Sequence, residues 1–128
     1  MLKTIEWKND QVIMIDQRKL PLQEKYVVCK DYRSVIRAIK NLVIRGAPAI
    51  GVAAAMGVAL GALKIRTKDR GRFEARLDAI CREMAAARPT AVNLAWAVER
   101  MKRVAAEAGL QPVRPLQLRL VAEAKKIL

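Results

Sequence analysis

The chain has 128 residues, of which 53% are hydrophobic, and this content predicts a packed globular domain and excludes a disordered chain. It carries a net charge of +13 and two cysteines but no histidine, which excludes a Ser–His–Asp triad and disfavours most metal sites. Cys29 and Cys81 lie in no paired motif, and the N-terminus lacks the apolar core of a signal peptide. We therefore expect a reducing, cytoplasmic location.

The excess of Lys and Arg raises the question of a polyanionic partner. Clustered cations bind nucleic-acid backbones by releasing counterions. However, only 4% of the residues are aromatic, which leaves few rings on which single-stranded bases could stack. The alternative is that the charge lies on solvated helix faces or is balanced by an acidic partner, and we therefore do not expect nucleic acid as the partner.

The N-terminal 30 residues predict a small antiparallel sheet. Thr4–Trp7 and Val12–Ile15 are two strand-like runs separated by an Asn-Asp turn, which is typical of a hairpin. Tyr26–Cys29 predicts a third strand. Asp16 directly follows the second run, where we expect it to stabilise a turn.

The next segments predict two consecutive helices. Asp31 is a suitable N-cap for the first, which should end at Arg45-Gly46. Its predicted apolar face consists of Val35, Ile36, Ile39, Leu42 and Val43. The following 17 uncharged residues, Ala47–Leu63, approach the length of a membrane span. Because much of this run is weakly hydrophobic Ala and Gly, we favour a helix buried in a helical core, with Gly57 and Gly61 allowing another helix to pack closely.

Three further helices are predicted after a polar loop at 64–72. Their expected ranges are Phe73–Ala87, Thr90–Ala108 and Leu116–Leu128, with Gly109 as the residue that ends the second. Cys81 falls on the apolar face of the first of these helices, so we expect it to be a core residue. The predicted fold class is α+β and mostly helical. We expect a single domain spanning residues 1–128, with the sheet in 1–30 and a helical bundle in 31–128.

Two short patterns favour anion binding. Arg45-Gly46-Ala47-Pro48 opens the uncharged helix, and Arg88 precedes a second helix that Pro89 initiates; in both cases the proline suits the first helical position. The first turn of a helix has free backbone N–H groups and a positive dipole, and a guanidinium group beside it strengthens an anion site. If the two helix starts meet, both arginines could hold one phosphate; the alternative is that each arginine pairs with a carboxylate or a helix C-terminus. No acid–base pair is evident in the sequence.

Four segments of the chain resemble the methylthioribose-1-phosphate isomerase family. They are Thr4–Trp7, Ile15–Pro21, Arg45–Ala55 and Arg88–Leu94. The wider family also includes ribose-1,5-bisphosphate isomerases and the regulatory subunits of translation initiation factor 2B. The first two segments favour the methylthioribose enzyme among these relatives. Met56 departs from the tyrosine that the family commonly has.

The resemblance implies an aldose–ketose isomerase of methionine salvage, which converts 5-methylthioribose 1-phosphate to 5-methylthioribulose 1-phosphate without a cofactor. It implies substrate-binding roles for Arg45, Gly46, Ala47 and Arg88. The family's catalytic cysteine and aspartate lie in a Rossmann-like C-terminal domain, beyond Leu128, so we assign no catalytic residue in this chain. We expect the chain to be the N-terminal domain alone, inactive by itself, with the missing α/β domain and a second copy as partners.

Overall fold

The computed structural model describes residues 4–127, which form a three-stranded sheet followed by five helices. The elements are β1 Ile5–Lys8, β2 Gln11–Ile15, β3 Tyr26–Cys29, α1 Tyr32–Lys40, α2 Ala47–Leu63, α3 Arg70–Ala85, α4 Val92–Glu107 and α5 Val113–Lys126. The predicted α+β, mostly helical fold class is confirmed.

The sheet is antiparallel in the order β1-β2-β3. Asn9 and Asp10 form the hairpin turn with φ values of 53° and 55°, a left-handed conformation that Asn and Asp tolerate. One face of the sheet is buried and packs against α2. This face consists of Ile5, Val12, Met14 and Cys29. The predicted hairpin and third strand are both confirmed.

Helix α1 ends at Lys40, and the prediction that it continues to Arg45-Gly46 is wrong. Leu42 adopts a left-handed φ of 63°, and the backbone N–H groups of Leu42 and Val43 donate to carbonyl groups of the last helical turn. This hydrogen-bonding pattern terminates a helix and is usually built with glycine. Leu42 is 43% exposed, so its predicted place on the buried face is also wrong.

Two aspartates determine where α1 and α3 begin. Asp31 accepts a hydrogen bond from the Ser34 backbone N–H at 2.7 Å, which confirms its predicted role as N-cap. Asp69 caps α3 in the same way, so α3 begins at Arg70 and not at the predicted Phe73. Its predicted apolar face is buried in the structure. That face comprises Phe73, Leu77, Ile80, Cys81 and Met84.

The starts of the last two helices also differ from the prediction. Helix α4 begins at Val92, two residues after the predicted Thr90. Helix α5 begins at Val113, three residues before the predicted Leu116, because Pro115 falls in the first turn, where a helix tolerates proline. Helix α5 ends at Lys126, so its predicted continuation through Ile127 is wrong, and the predicted last residue, Leu128, lies outside the described residues.

Helix α2 is the centre of the fold, as predicted, and it contacts the other four helices as well as β1 and β2. Every residue from Ile50 to Ala62 is buried. A methyl group on Gly61 would lie 2.9 Å from Ile80 Cδ1, and one on Gly57 would lie 3.0 Å from Val35 Cγ1. The two glycines therefore let α1 and α3 approach α2. No helix within residues 4–127 has the length and apolar character needed to cross a membrane.

A buried glutamine completes the C-terminal end of α2. Gln117 on α5 is 5% exposed, and its Nε2 donates to the carbonyl oxygens of Ala62 at 2.9 Å and Ile65 at 3.0 Å, with a longer contact of 3.4 Å to that of Leu63. The last carbonyls of a helix have no partner within the helix. One neutral side chain from a distant part of the sequence therefore bonds the Ala62 carbonyl of the last helical turn and the Ile65 carbonyl of the loop that follows.

Candidate functional site

A cavity of about 210 Å³ lies where the starts of α2 and α4 meet. Its walls come from two separate segments of the chain. The lining residues are Arg45, Ala47 and Ile50 from the α2 side and Arg88, Ala91, Val92 and Asn93 from the α4 side. The structure thus brings together Arg45 and Arg88, the two arginines that the sequence analysis placed near helix starts.

Gln17 holds the segment that leads into α2. Its backbone N–H donates to the Val43 carbonyl at 2.9 Å, and its side-chain oxygen accepts from the Arg45 backbone N–H at 2.7 Å. Because Gln17 follows β2 closely, the sheet positions Arg45 at the mouth of the cavity. This positioning role of Gln17 was not predicted from the sequence.

Asp16 stabilises the turn that contains Gln17. It is 3% exposed and accepts hydrogen bonds from the Arg18 backbone N–H at 3.0 Å and from the Arg18 guanidinium at 2.9 and 2.7 Å. The side-chain hydrogen bond from Arg18 lowers the pKa of the Asp16 carboxyl. Asp16 therefore has the turn role that was expected, and it does not line the cavity.

The guanidinium groups of Arg45 and Arg88 have no partner among residues 4–127. Arg45 is exposed and Arg88 is partly buried, and within residues 4–127 neither side chain makes an ion pair or a hydrogen bond. The alternative, in which each arginine is neutralised by a carboxylate, is not seen among these residues. Two unpaired cations that line one cavity repel each other, and a bound anion relieves that repulsion.

Backbone donors at both helix starts reinforce the positive charge. The N-caps of α2 and α4 are Gly46 and Ala91, and neither provides a side-chain hydrogen bond, in contrast to Asp31 and Asp69 at α1 and α3. Free N–H groups and the helix dipole therefore face the region between α2 and α4. Such an arrangement favours an anion.

The local geometry departs from the predicted pattern at both prolines. Pro48 is the second residue of α2, after Ala47, and not the first. Pro89 lies in a turn, and α4 begins only at Val92, so the prediction of a proline-initiated helix directly after Arg88 is wrong. Arg88 reaches the cavity from this turn. Gly46 lies between two lining residues, and a methyl group there would meet no atom within 4 Å.

Four of the lining residues were not predicted from the sequence as site residues. They are Ile50, Ala91, Val92 and Asn93. Val92 is an apolar residue that is 79% exposed at a helix start, a property that is visible only in the structure. The lining thus combines two arginines and one asparagine with apolar residues. None of the lining residues within 4–127 carries a carboxylate, a thiol or a hydroxyl group.

The two thiols belong to the core and not to this cavity. Cys29 and Cys81 are buried and free. Burial raises the pKa of Cys29 to about 11 and that of Cys81 to about 12, so both are protonated at neutral pH. The expectation that Cys81 is a core residue is confirmed. Among residues 4–127, no cluster of three Cys, Asp or Glu residues is arranged to hold a metal ion.

Two solved structures have nearly the same architecture as this chain. The 5-methylthioribose 1-phosphate isomerase of Pyrococcus horikoshii superposes with a TM-score of 0.95 at 39% identity, covering 99% of this chain and 36% of that one. The delta subunit of translation initiation factor 2B from A. fulgidus superposes with a TM-score of 0.90 at 33% identity, again with coverage of 99% and 36%.

Sequence comparison gives a related result. The methylthioribose-1-phosphate isomerases of Geobacter sulfurreducens and Geobacter metallireducens are 54% and 56% identical to the chain over 125 and 128 residues. Each match covers 98% of this chain, which spans 36% of the length of each relative. The profile of the initiation factor 2 subunit family matches residues 43–128. The chain therefore belongs to the initiation factor 2 subunit family.

Proposed function

We propose that the chain is the substrate-binding part of an aldose–ketose isomerase that converts 5-methylthioribose 1-phosphate to 5-methylthioribulose 1-phosphate, a step of methionine salvage. Arg45 and Arg88 hold the phosphate, and the backbone at Gly46 and Ala47 contributes further donors. The observation that carries the proposal is the meeting, at one cavity, of two arginines that are unpaired within residues 4–127 and two helix starts without a side-chain cap.

The chemistry of the cavity suits a phosphate that carries a partly apolar sugar. A guanidinium group binds a phosphate with two parallel, charge-assisted hydrogen bonds, and two such groups provide more donors than one phosphate face requires. Ile50 and Val92 offer apolar surface beside the arginines, and Asn93 lies next to them. The names of the similar isomerases add support, because their substrate has a phosphate at one end and a methylthio group at the other.

The isomerisation also requires groups that move protons. The cavity is lined by no carboxylate, thiol or hydroxyl, and both thiols are buried elsewhere. We therefore expect the 128-residue chain to bind the sugar phosphate without converting it. The check is to incubate the purified chain with 5-methylthioribose 1-phosphate and follow ketose formation by NMR. Measurable conversion would show that this division of roles is wrong.

Calorimetric titration of the chain with 5-methylthioribose 1-phosphate tests the binding role. The variants Arg45→Ala and Arg88→Ala should each lose about 1.5–3 kcal/mol of binding free energy, which is typical of hydrogen bonds to charged groups. Arg76→Ala is the matched control, because Arg76 is an exposed arginine that does not line this cavity. An Arg45→Ala variant that binds as tightly as the control would contradict the assignment.

The similarity to the A. fulgidus subunit supports a second candidate, a regulatory or interaction domain of a translation initiation factor 2B-like protein. A ribose-1,5-bisphosphate isomerase is a further alternative within the wider family. Parallel titrations with 5-methylthioribose 1-phosphate and ribose 1,5-bisphosphate distinguish the two isomerases. The sugar phosphate that binds more tightly identifies the substrate. Recovery of translation factors in a pull-down, together with no binding of either sugar phosphate, would favour the regulatory role.

We further propose that residues 1–128 form a single domain, that it works in the cytoplasm, and that it associates with a second copy. Support for self-association comes from Val92 and Trp96, which are 79% and 49% exposed on the same helix beside the cavity. Exposed apolar side chains at helical spacing are typical of protein contacts. Light scattering at increasing concentration provides the check, and a constant monomer mass would contradict self-association.

A further inference from the structure

A second cavity, of about 370 Å³, lies between the β1–β2 turn and the C-terminal end of α2. Three of its residues are cations from two segments: Lys30 follows β3, whereas Lys64, the C-cap of α2, and Arg66, in the loop after it, are two residues apart. The other lining residues are Asn9, Asp10, Gln11 and Leu63. Lys30, Lys64 and Arg66 are exposed, and within residues 4–127 none of them makes an ion pair or a side-chain hydrogen bond.

The usual structural role of cations at this position is already filled. Lys and Arg near the end of a helix often bind its last carbonyl groups. Here the Gln117 amide donates to the Ala62 carbonyl at 2.9 Å, and the backbone N–H groups of Lys64 and Ile65 donate to the Gly61 and Ala62 carbonyls at 3.2 Å. Lys64 and Arg66 are therefore not needed to complete the end of α2, and their charges remain available at the cavity.

The local charge balance is strongly positive. Among the described residues that line the cavity, Asp10 is the only acidic one, and the same set contains three cations. Asp31 lies near Lys64 but does not line the cavity. Its carboxylate caps α1, and the charge of Lys64 contributes only a small part of the lowering of the Asp31 pKa. Like charges that share a cavity repel, and a ligand with several negative charges relieves more repulsion than one with a single charge.

We propose that this cavity binds an oligophosphate, either free or as part of a nucleotide. Lys30, Lys64 and Arg66 contact successive phosphate groups, and the amides of Asn9 and Gln11 provide neutral donors. This site is separate from the cavity between α2 and α4, since the two cavities share no lining residue. The proposal is therefore independent of the proposed function.

The test is a titration with sodium tripolyphosphate at physiological salt, followed by the backbone amide NMR shifts of the 128-residue chain. Saturable shifts should occur at Asn9, Gln11, Lys30 and Arg66. The triple variant Lys30→Gln/Lys64→Gln/Arg66→Gln should bind at least roughly tenfold more weakly. Because all three side chains are exposed, the variant should keep the amide dispersion of the native fold.

The matched control removes the same number and type of charges from α5. The triple variant Arg119→Gln/Lys125→Gln/Lys126→Gln should keep its tripolyphosphate affinity to within about twofold, since these exposed residues do not line the cavity. Equal weakening of both triple variants would overturn the proposal, because it would show a response to net charge alone. Shifts confined to Arg45 and Arg88 would overturn it as well.

Two additional titrations complete the test. The Arg45→Ala/Arg88→Ala variant should lose affinity for the sugar phosphate but keep its affinity for tripolyphosphate. This result would show that the two ligands bind in different cavities. A nucleoside triphosphate that binds more tightly than tripolyphosphate identifies the ligand as a nucleotide, and equal or weaker binding identifies a free oligophosphate. The absence of saturable binding by both ligands would overturn the proposal.

Discussion

Gly51 lies directly against Asn93 where α2 and α4 pack together. A methyl group on Gly51 would lie 3.3 Å from the Asn93 backbone carbonyl oxygen. This contact is tighter than ordinary van der Waals contact, and the atom on the other side belongs to a backbone that cannot rotate away. The missing side chain at Gly51 therefore allows the first turns of the two helices to approach. The same approach brings Arg45 and Arg88 to one cavity.

Gly51→Ala should weaken sugar-phosphate binding by about fivefold, because the added methyl group displaces the start of α4. Gly57→Ala is the matched control on the same helix. There the added methyl group meets Met84 and Val35, away from the cavity, so this variant should lose about 1 kcal/mol of unfolding free energy but keep its affinity. Calorimetric titration and urea unfolding of both variants provide the check. Equal affinities in the two variants would contradict the role given to Gly51.

Gln117→Glu should reduce the free energy of unfolding at neutral pH by about 1–3 kcal/mol, measured by urea denaturation. The substitution preserves the shape of the side chain but removes the donor that satisfies the Ala62 and Ile65 carbonyls, and it places a charge in a buried position. The control is Leu118→Gln on the exposed side of the same helix, which should change stability by less than about 0.5 kcal/mol. Equal stability of Gln117→Glu and the native chain would refute this account.

Asp16→Asn should lower the free energy of unfolding at neutral pH by about 1 kcal/mol, since the charged hydrogen bond to the 45%-exposed Arg18 is lost. The pKa of Asp16 in the folded chain lies below its ordinary value of 3.8. The stabilisation is therefore fully present above that value and disappears as the pH falls through the folded pKa. Unfolding curves of both proteins should converge in acid. A difference that persists unchanged into strong acid would contradict this linkage.

The parts of the fold that follow from local sequence patterns were predicted well. The observed range of α2, Ala47–Leu63, is the uncharged run itself, because the charged residues on either side cannot enter the core. The range of β3, Tyr26–Cys29, and the Asn9-Asp10 turn were also predicted correctly. In each case the pattern and the turn residues determine the element without help from distant contacts.

Features that depend on tertiary contacts were not predictable. Leu42 in a left-handed conformation ends α1 where a sequence pattern would require glycine. Gln17 and Gln117 bind backbone groups in segments distant in the sequence, and glutamine has no positional signature for such roles. The sequence suggested that Arg45 and Arg88 could share one ligand, but their meeting depends on the packing of α2 against α4.

A double-mutant cycle on Arg45 and Arg88 tests the central claim most directly. The affinity for 5-methylthioribose 1-phosphate is measured by calorimetry for the native chain, Arg45→Ala, Arg88→Ala and the double variant. If both arginines hold the same phosphate, the loss in the double variant should be smaller than the sum of the single losses by about 1 kcal/mol or more. Losses that add to within about 0.3–0.5 kcal/mol, or single variants that lose no affinity, would contradict a shared phosphate site.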